Sequence, residues 1–233
     1  MGVEEYIFIE IFRGRIMVRF EKVFDDANTI VRAYLDAGDR ILAASGAMVS
    51  MTDSFDVGVH TSGFKKAFGR MFSTQSVFLT KYDAKREGEI ILSPIFLGDI
   101  NILPLDGSKV YTLGQNALLA YEGDIELNAK SKGRKGFVSG EGLFQVEVSG
   151  VGTIVLAAYG KILKRNLEVG EKFIVDTNHI VLRDNDMKYS VELVTGTGLS
   201  SLASGEGYIM KFTGPGEIWY QSKNPSYLIS PGT

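Results

Sequence analysis

The stretch LDAGDRILAASGAMVSMTDSFDVGV, residues 35–59, has two counterparts further along the chain: LDGSKVYTLGQNALLAYEGDIELNA over 105–129 and LEVGEKFIVDTNHIVLRDNDMKYSVEL over 167–193. Aligned without gaps on Leu35, Leu105 and Leu167, they bring Ala47, Ala117 and His179 to one position. Met48-Val49, Leu118-Leu119 and Ile180-Val181 follow. Farther on, Phe55, Ile125 and Met187 coincide, then Val57, Leu127 and Tyr189, then Val59, Ala129 and Val191. Such alternation puts every second side chain on one face, which marks a half-buried strand.

A second segment also occurs three times, as SVFLTKYDAKREGEIILSP (76–94), GEGLFQVEVSGVGTIVLAAYG (140–160) and GEGYIMKFTGPGEIWYQS (205–222). Gly88, Gly152 and Gly216 lie 64 residues apart, and each is followed by a polar residue and then Ile90, Ile154 or Ile218. The glycines are expected to supply positive φ or room for tight hairpins, as in SGVG and TGPG. Each repeat then reads as two hairpins. One two-hairpin unit has an apolar face that needs a partner, so three units are expected to pack about a common axis. The expectation is a single all-β domain with pseudo-threefold symmetry, its antiparallel repeats spanning about 29–100, 101–162 and 163–222. Residues 1–28 add a strand pair, YIFIEIF and RIMVRFEKVF, and the tail SKNPSYLISPGT is read as a loosely docked end.

Composition agrees with this class. Of 233 residues, 45% are hydrophobic and 23% charged, enough chain for a core without covalent staples. The 27 glycines against 5 prolines, with 14 Phe and 10 Tyr, favour strands joined by glycine turns. A net charge of −3 argues against bulk nucleic-acid binding. No cysteine is present, which excludes thiol nucleophiles and sulfur-ligated zinc. No apolar run reaches signal-peptide or membrane-spanning length, and the expected location is cytoplasmic.

The stretches GAMVSM (46–51), GEGLF (140–144), SGVGTIVLAAYG (149–160) and FTGPGEIWYQS (212–222) resemble the altered-inheritance-of-mitochondria twenty-four family, the mitochondrial biogenesis family, over about residues 28–222. The resemblance implies a fold like that of the tryptophan RNA-binding attenuation protein, a shortened double-stranded β-helix built by triplication. It implies little about function. Mitochondrial relatives are linked to inner-membrane organisation, and the resemblance carries over no catalytic residue.

No catalytic constellation emerges from the residues themselves. His179 invites comparison with histidine metal sites of β-helix enzymes, but its equivalents are Ala47 and Ala117, so a packed strand position is the expectation. His60 is read as part of a turn, VHTSG. Glu141 and Glu206, in the twice-used GEG, are read as solvated turns or subunit contacts, since the first repeat has STQS there. Glycine motifs lack the lysine and helix of a phosphate loop, and no GxSxG elbow occurs. No cofactor or metal is expected.

Two segments stand out as contact candidates. AKSKGRKG (129–136) places Lys130, Lys132, Arg134 and Lys135 in one loop, a solvated connection or an anion contact. GFKKAFGRMF (63–72) is a short amphipathic helix candidate: Phe64, Phe68 and Phe72 recur with Met71 beside them, while Lys65, Lys66 and Arg70 fall largely elsewhere. It is expected to plug the barrel, join subunits or rest on a membrane surface. The leading expectation is a non-enzymatic, homo-oligomeric scaffold for an unknown protein partner, at most peripheral to a membrane. The alternatives are a module binding a small molecule or anion, and a metal-dependent enzyme using His179.

Overall fold

Alternation in IVRAYL (30–35) buries Val31, Ala33 and Leu35 and leaves Ile30, Arg32 and Tyr34 half-exposed. Strands of this kind dominate the computed structural model, which describes residues 6–8, 11–12, 15–16, 18–24, 26–60, 79–131, 144–193 and 208–225. Four short strands come first: β1 (Tyr6–Phe8), β2 (Ile11–Phe12), β3 (Arg15–Ile16) and β4 (Arg19–Val23). Of these, β1 pairs with β4, β2 with β3, and β4 with the strand that follows.

The rest of the chain repeats one pattern of antiparallel pairing. Its first stretch contains β5 (Ile30–Leu35), β6 (Arg40–Ala44), β7 (Met48–Met51), β8 (Phe55–His60), β9 (Leu79–Ala84) and β10 (Gly88–Leu92). Here β10 lies between β5 and β7, and β9 lies between β6 and β8. In the second stretch, β11 (Ile100–Asp106) and β12 (Tyr111–Leu113) precede two long strands, β13 (Leu118–Ser131) and β14 (Phe144–Ala157). The later half of β14 lies between β11 and early β13, and its earlier half between β12 and late β13. The third stretch holds β15 (Ile162–Leu167), β16 (Lys172–Asp176), β17 (Ile180–Asp184), β18 (Lys188–Leu193), β19 (Tyr208–Thr213) and β20 (Gly216–Gln221). Again β20 lies between β15 and β17, and β19 between β16 and β18.

Two ladders join the stretches: β6 pairs with early β13, and β12 pairs with β17. They unite strands of all three stretches into one sheet in the order β15-β20-β17-β12-β14-β13-β6-β9-β8, with β11 also on β14. The remaining sheets are β1-β4-β5-β10-β7, β16-β19-β18 and the pair β2-β3.

The pairs β9–β10 and β19–β20 are not the hairpins expected from sequence: the two strands of each pair have different neighbours, so their link is a corner between sheets, and in the second stretch the same segments form one strand, β14. SGVG is no turn at all: it lies inside β14, where Cβ atoms at Gly150 and Gly152 would strike the carbonyl oxygens of Asp124 and Glu122 on β13. Glycine serves there for close strand approach. TGPG does form a bend, between β19 and β20, with a cis Gly214–Pro215 bond. Among the described residues the single helical element is a 3-10 turn, Thr177–His179. The helix expected over residues 64–72 lies outside the described residues.

Packing follows the ladders. One buried cluster joins Phe20, Val31 and Ile90 to Ile100, Leu119 and Val155, tying the first stretch and β4 to the second. Another runs from Leu42 and Leu79 through Ile154 and Leu156 to Val181, Leu182 and Trp219. The third, around Phe212 and Ile218, belongs to the last stretch alone. Removal of this apolar surface from water is the main stabilising force.

The starts of the three stretches meet. Isolated parallel bridges link Asn28 to Gly98 and Gly98 to Gly160, each seven residues before its anchor leucine. Beside them Asp99, 8% exposed, accepts from Lys22 Nζ at 2.7 Å and from the backbone N–H of Ile100 at 3.0 Å and Ile162 at 3.3 Å. One carboxylate thus binds β4, β11 and β15 together. A buried charge is tolerable when it is paired and hydrogen-bonded in this way.

Candidate functional site

The turn between β6 and β7 is made by Ser45 and Gly46, with φ +84° at Gly46 and a bond from Ala47 N–H to the Ala44 carbonyl at 3.0 Å. Its counterpart between β12 and β13 uses Asn116, whose φ of +59° lies in the left-handed region that asparagine tolerates. Between these turns run the connections through Ser93–Phe96 and Ala158–Tyr159. Together they enclose a cavity of about 550 Å³.

Its wall is mixed. Met48, Val49, Ile95, Leu118 and Leu119 supply apolar surface, and Ser45, Gln115 and Asn116 supply polar groups. Gln221 also borders it, but its amide is engaged on both sides: Oε1 accepts from Tyr159 N–H at 2.8 Å and Nε2 donates to the Asn178 carbonyl at 2.9 Å. The volume falls in the range of small-molecule sites. Among the described residues no charged side chain lines it, so its chemistry favours a neutral, apolar guest over an anion.

One wall of the cavity continues into an exposed apolar edge. All four residues of β7 are exposed, Met48, Val49 and Met51 among them, and β7 ends its sheet. Val57 and Val59 on β8 and Ile95 on the connection are exposed as well. Exposed apolar side chains on end strands are the kind of surface that another chain can cover.

His179 is not in a strand, as expected from sequence, but closes the 3-10 turn before β17. There Asp176 caps the turn by accepting from Asn178 N–H at 2.8 Å. Its half-buried ring places Nδ1 2.6 Å from the Gln221 carbonyl, a contact in which Nδ1–H donates and the imidazole is held as a structural tie. His60 ends β8, opposite Leu79, rather than occupying a turn. Burial, with Arg40 and Lys81 nearby, holds its imidazole below the ordinary histidine range. His60 lies in the β8–β9 ladder and His179 in the turn before β17, and among the described residues no group of three or more His, Asp or Glu is gathered to hold a metal.

Two buried charges outside the cavity, Arg183 and Asp184, are engaged by the backbone. Arg183 donates Nη1–H to the carbonyls of Asp184 and Asn185 at 3.0 and 3.3 Å and lies 4.5 Å from the Tyr189 ring centroid. Asp184 accepts from Glu217 N–H at 2.9 Å, linking β17 to β20. The contact of Asp184 ties neighbouring strands together.

The candidates Phe64, Lys65, Lys66, Phe68, Arg70, Met71 and Phe72 lie outside the described residues, as do Lys132, Arg134, Lys135, Glu141 and Glu206. Lys130 falls in β13, opposite Gln145, rather than in a loop. Sequence reasoning offered a binding pocket as an alternative but missed the residues that line this cavity, and it missed the β7 edge. A signal for the edge was present: MVSM carries two flexible methionines and a serine where the counterparts read LLAY and IVLR.

The family described as Mitochondrial biogenesis AIM24 matches residues 20–223, and this chain belongs to that family. An uncharacterized protein of Streptococcus pyogenes serotype M6 is 30% identical over 205 residues, covering 84% of this chain and 82% of its own. The X-ray crystal structure of a Streptococcus pyogenes protein is similar with a TM-score of 0.75 and 29% identity, over 91% of this chain and 96% of that one. No described helix is long and apolar enough to cross a membrane.

Proposed function

We propose that this member of the Mitochondrial biogenesis AIM24 family is a non-enzymatic cytoplasmic scaffold that self-associates and presents a surface to a protein partner. The carrying observation is the β7 edge: an end strand with Met48, Val49 and Met51 all exposed. Exposed, hydrophobic edge strands are open to pairing with another chain.

On this reading the chain is a triplicated, shortened double-stranded β-helix with pseudo-threefold symmetry, like the attenuation-protein fold. Support comes from the pairing pattern common to the three stretches and from the parallel bridges between their equivalent starts at Asn28, Gly98 and Gly160. Internal symmetry multiplies an edge or turn surface without needing new contacts, which suits a scaffold. Native mass spectrometry of the full chain tests it. A homo-oligomer of fixed stoichiometry with no adduct supports the scaffold, and a monomer overturns it.

A second reading, a small-molecule-binding module, rests on the cavity of about 550 Å³ between the turns. It requires a discrete extra mass per chain in the same spectrum. Leu119→Trp would fill the cavity from its wall and is expected to abolish that adduct.

A further inference from the structure

Inside the chain, consecutive stretches are joined by one device. The third strand of a stretch pairs with the second strand of the stretch before it. Early β13 meets β6 through Ala120 opposite Ala43 and Tyr121 opposite Leu42. β17 meets β12 through Leu182 opposite Leu113, Arg183 opposite Thr112 and Asp184 opposite Tyr111. Counted from Leu35, Leu105 and Leu167, the two registers are the same.

The device leaves two strands over. β7 is the third strand of the first stretch, and β16 is the second strand of the last. Among the described residues β7 pairs with β10 alone and β16 with β19 alone, each at the end of its sheet. Positions shielded at the formed junctions are open here. Val49 is 58% exposed where Leu119 and Val181 are 3% and 1%, and Ile174 is 55% exposed where Leu42 is 7%.

We propose that β16 of one copy of this chain adds to β7 of a second copy, head to tail, in the register of the two internal junctions. The inference rests on the scaffold reading above and names the surface it uses. The shared register sets Ser50 opposite Val175, Met51 opposite Ile174 and Thr52 opposite Phe173. One step further, Lys172 of one copy faces Asp53 of the other, an opposite-charge cross-strand pair. Backbone bonding of two free edges supplies the pairing, and covering Val49, Met51 and Ile174 supplies the apolar contribution. Because the edges belong to opposite ends of the stretch order, the contact is heterologous, and the fixed stoichiometry of the scaffold requires that it close into a ring of copies.

The native chain has no cysteine, so directed disulfides test the register cleanly. Residues directly opposite in an antiparallel ladder have Cα separations that a disulfide spans. Chains carrying Met51→Cys alone and Ile174→Cys alone are mixed and oxidised. The expected product is a disulfide-linked dimer containing one of each, absent from either variant alone. The double variant is expected to give a ladder of covalent oligomers on a non-reducing gel. No crosslink in the mixture overturns the proposal, as does a double variant that closes its disulfide within one chain. Met51→Lys and Ile174→Lys, both at exposed positions, are expected to weaken association about tenfold or more with unchanged β circular dichroism. Association unaffected by both also overturns it. If the unmodified chain is oligomeric by native mass spectrometry but the mixture does not crosslink, the scaffold stands and this interface falls. If the unmodified chain is a monomer, both fall.

Discussion

Leu105 stands directly opposite Gly152 across the β11–β14 ladder, as Leu35 stands opposite Gly88 and Leu167 opposite Gly216. Each leucine is buried, and two residues after each glycine comes a fully buried isoleucine, Ile90, Ile154 or Ile218. A side chain on the glycine has no room. At Gly152 a Cβ would meet the Glu122 carbonyl, at Gly88 the side chains of Thr52 and Ser54, and at Gly216 the Met187 methyl. Small against large across the ladder lets the corner between sheets close over the core.

Gly152→Ala is accordingly expected to destabilise the fold by roughly 2–4 kcal/mol, since a Cβ there meets backbone that cannot yield. Gly170→Ala, where nothing lies within 4 Å but φ is +79°, pays only for the left-handed backbone, about 1 kcal/mol. Urea midpoints of the two variants measure the difference, and equal losses would show that close strand approach is not what Gly152 provides.

Asp99→Ala removes the acceptor shared by Lys22 and by the N–H groups of Ile100 and Ile162. A loss of about 2–4 kcal/mol is expected, because the N–H groups of Ile100 and Ile162 lose the carboxylate that accepts from them. Asp99→Asn keeps one acceptor oxygen and is expected to lose less. Urea melts followed by fluorescence of the single tryptophan, Trp219, report both.

His60 gives a pH dependence of defined sign. Its imidazole titrates below the ordinary value in the folded chain, chiefly through burial, so the unfolded chain binds the proton first as pH falls. Its share of stability is present above about pH 6.5 and is lost as the pH drops below that and through the folded value. His60→Asn is expected to flatten the melting temperature between about pH 5 and 6.5 relative to the unmodified chain.

His179→Ala is expected to lower stability by about 1 kcal/mol, the worth of the tie from Nδ1–H to the Gln221 carbonyl, without changing the metal content of the purified protein. Metal lost on this substitution would favour the enzyme reading over the scaffold.

The leucine and glycine series stood out in the sequence as two separate patterns. Nothing in periodicity shows that they face each other, because pairing joins residues some 50 positions apart and depends on which strands share a sheet. Strand character was legible from alternation in segments such as IVRAYL, where one face is buried, and KYSVEL, where one face is half-buried. SGVG was misread as a hairpin because glycine pairs signal turns locally, whereas here they let β13 and β14 approach. The lining of the cavity could not be read in advance, and the β7 edge was signalled only by the methionines and serine of MVSM. The cavity forms where turns from distant stretches converge, and MVSM looks buried by its hydropathy until its missing neighbour is seen.

The most direct test of self-association is native mass spectrometry of the full chain across a dilution series at micromolar concentration. The account predicts one homo-oligomer of fixed stoichiometry, free of bound small molecules, that dissociates on dilution. A monomer at every concentration would contradict it, and a discrete extra mass on each chain would replace the scaffold with the binding-module reading.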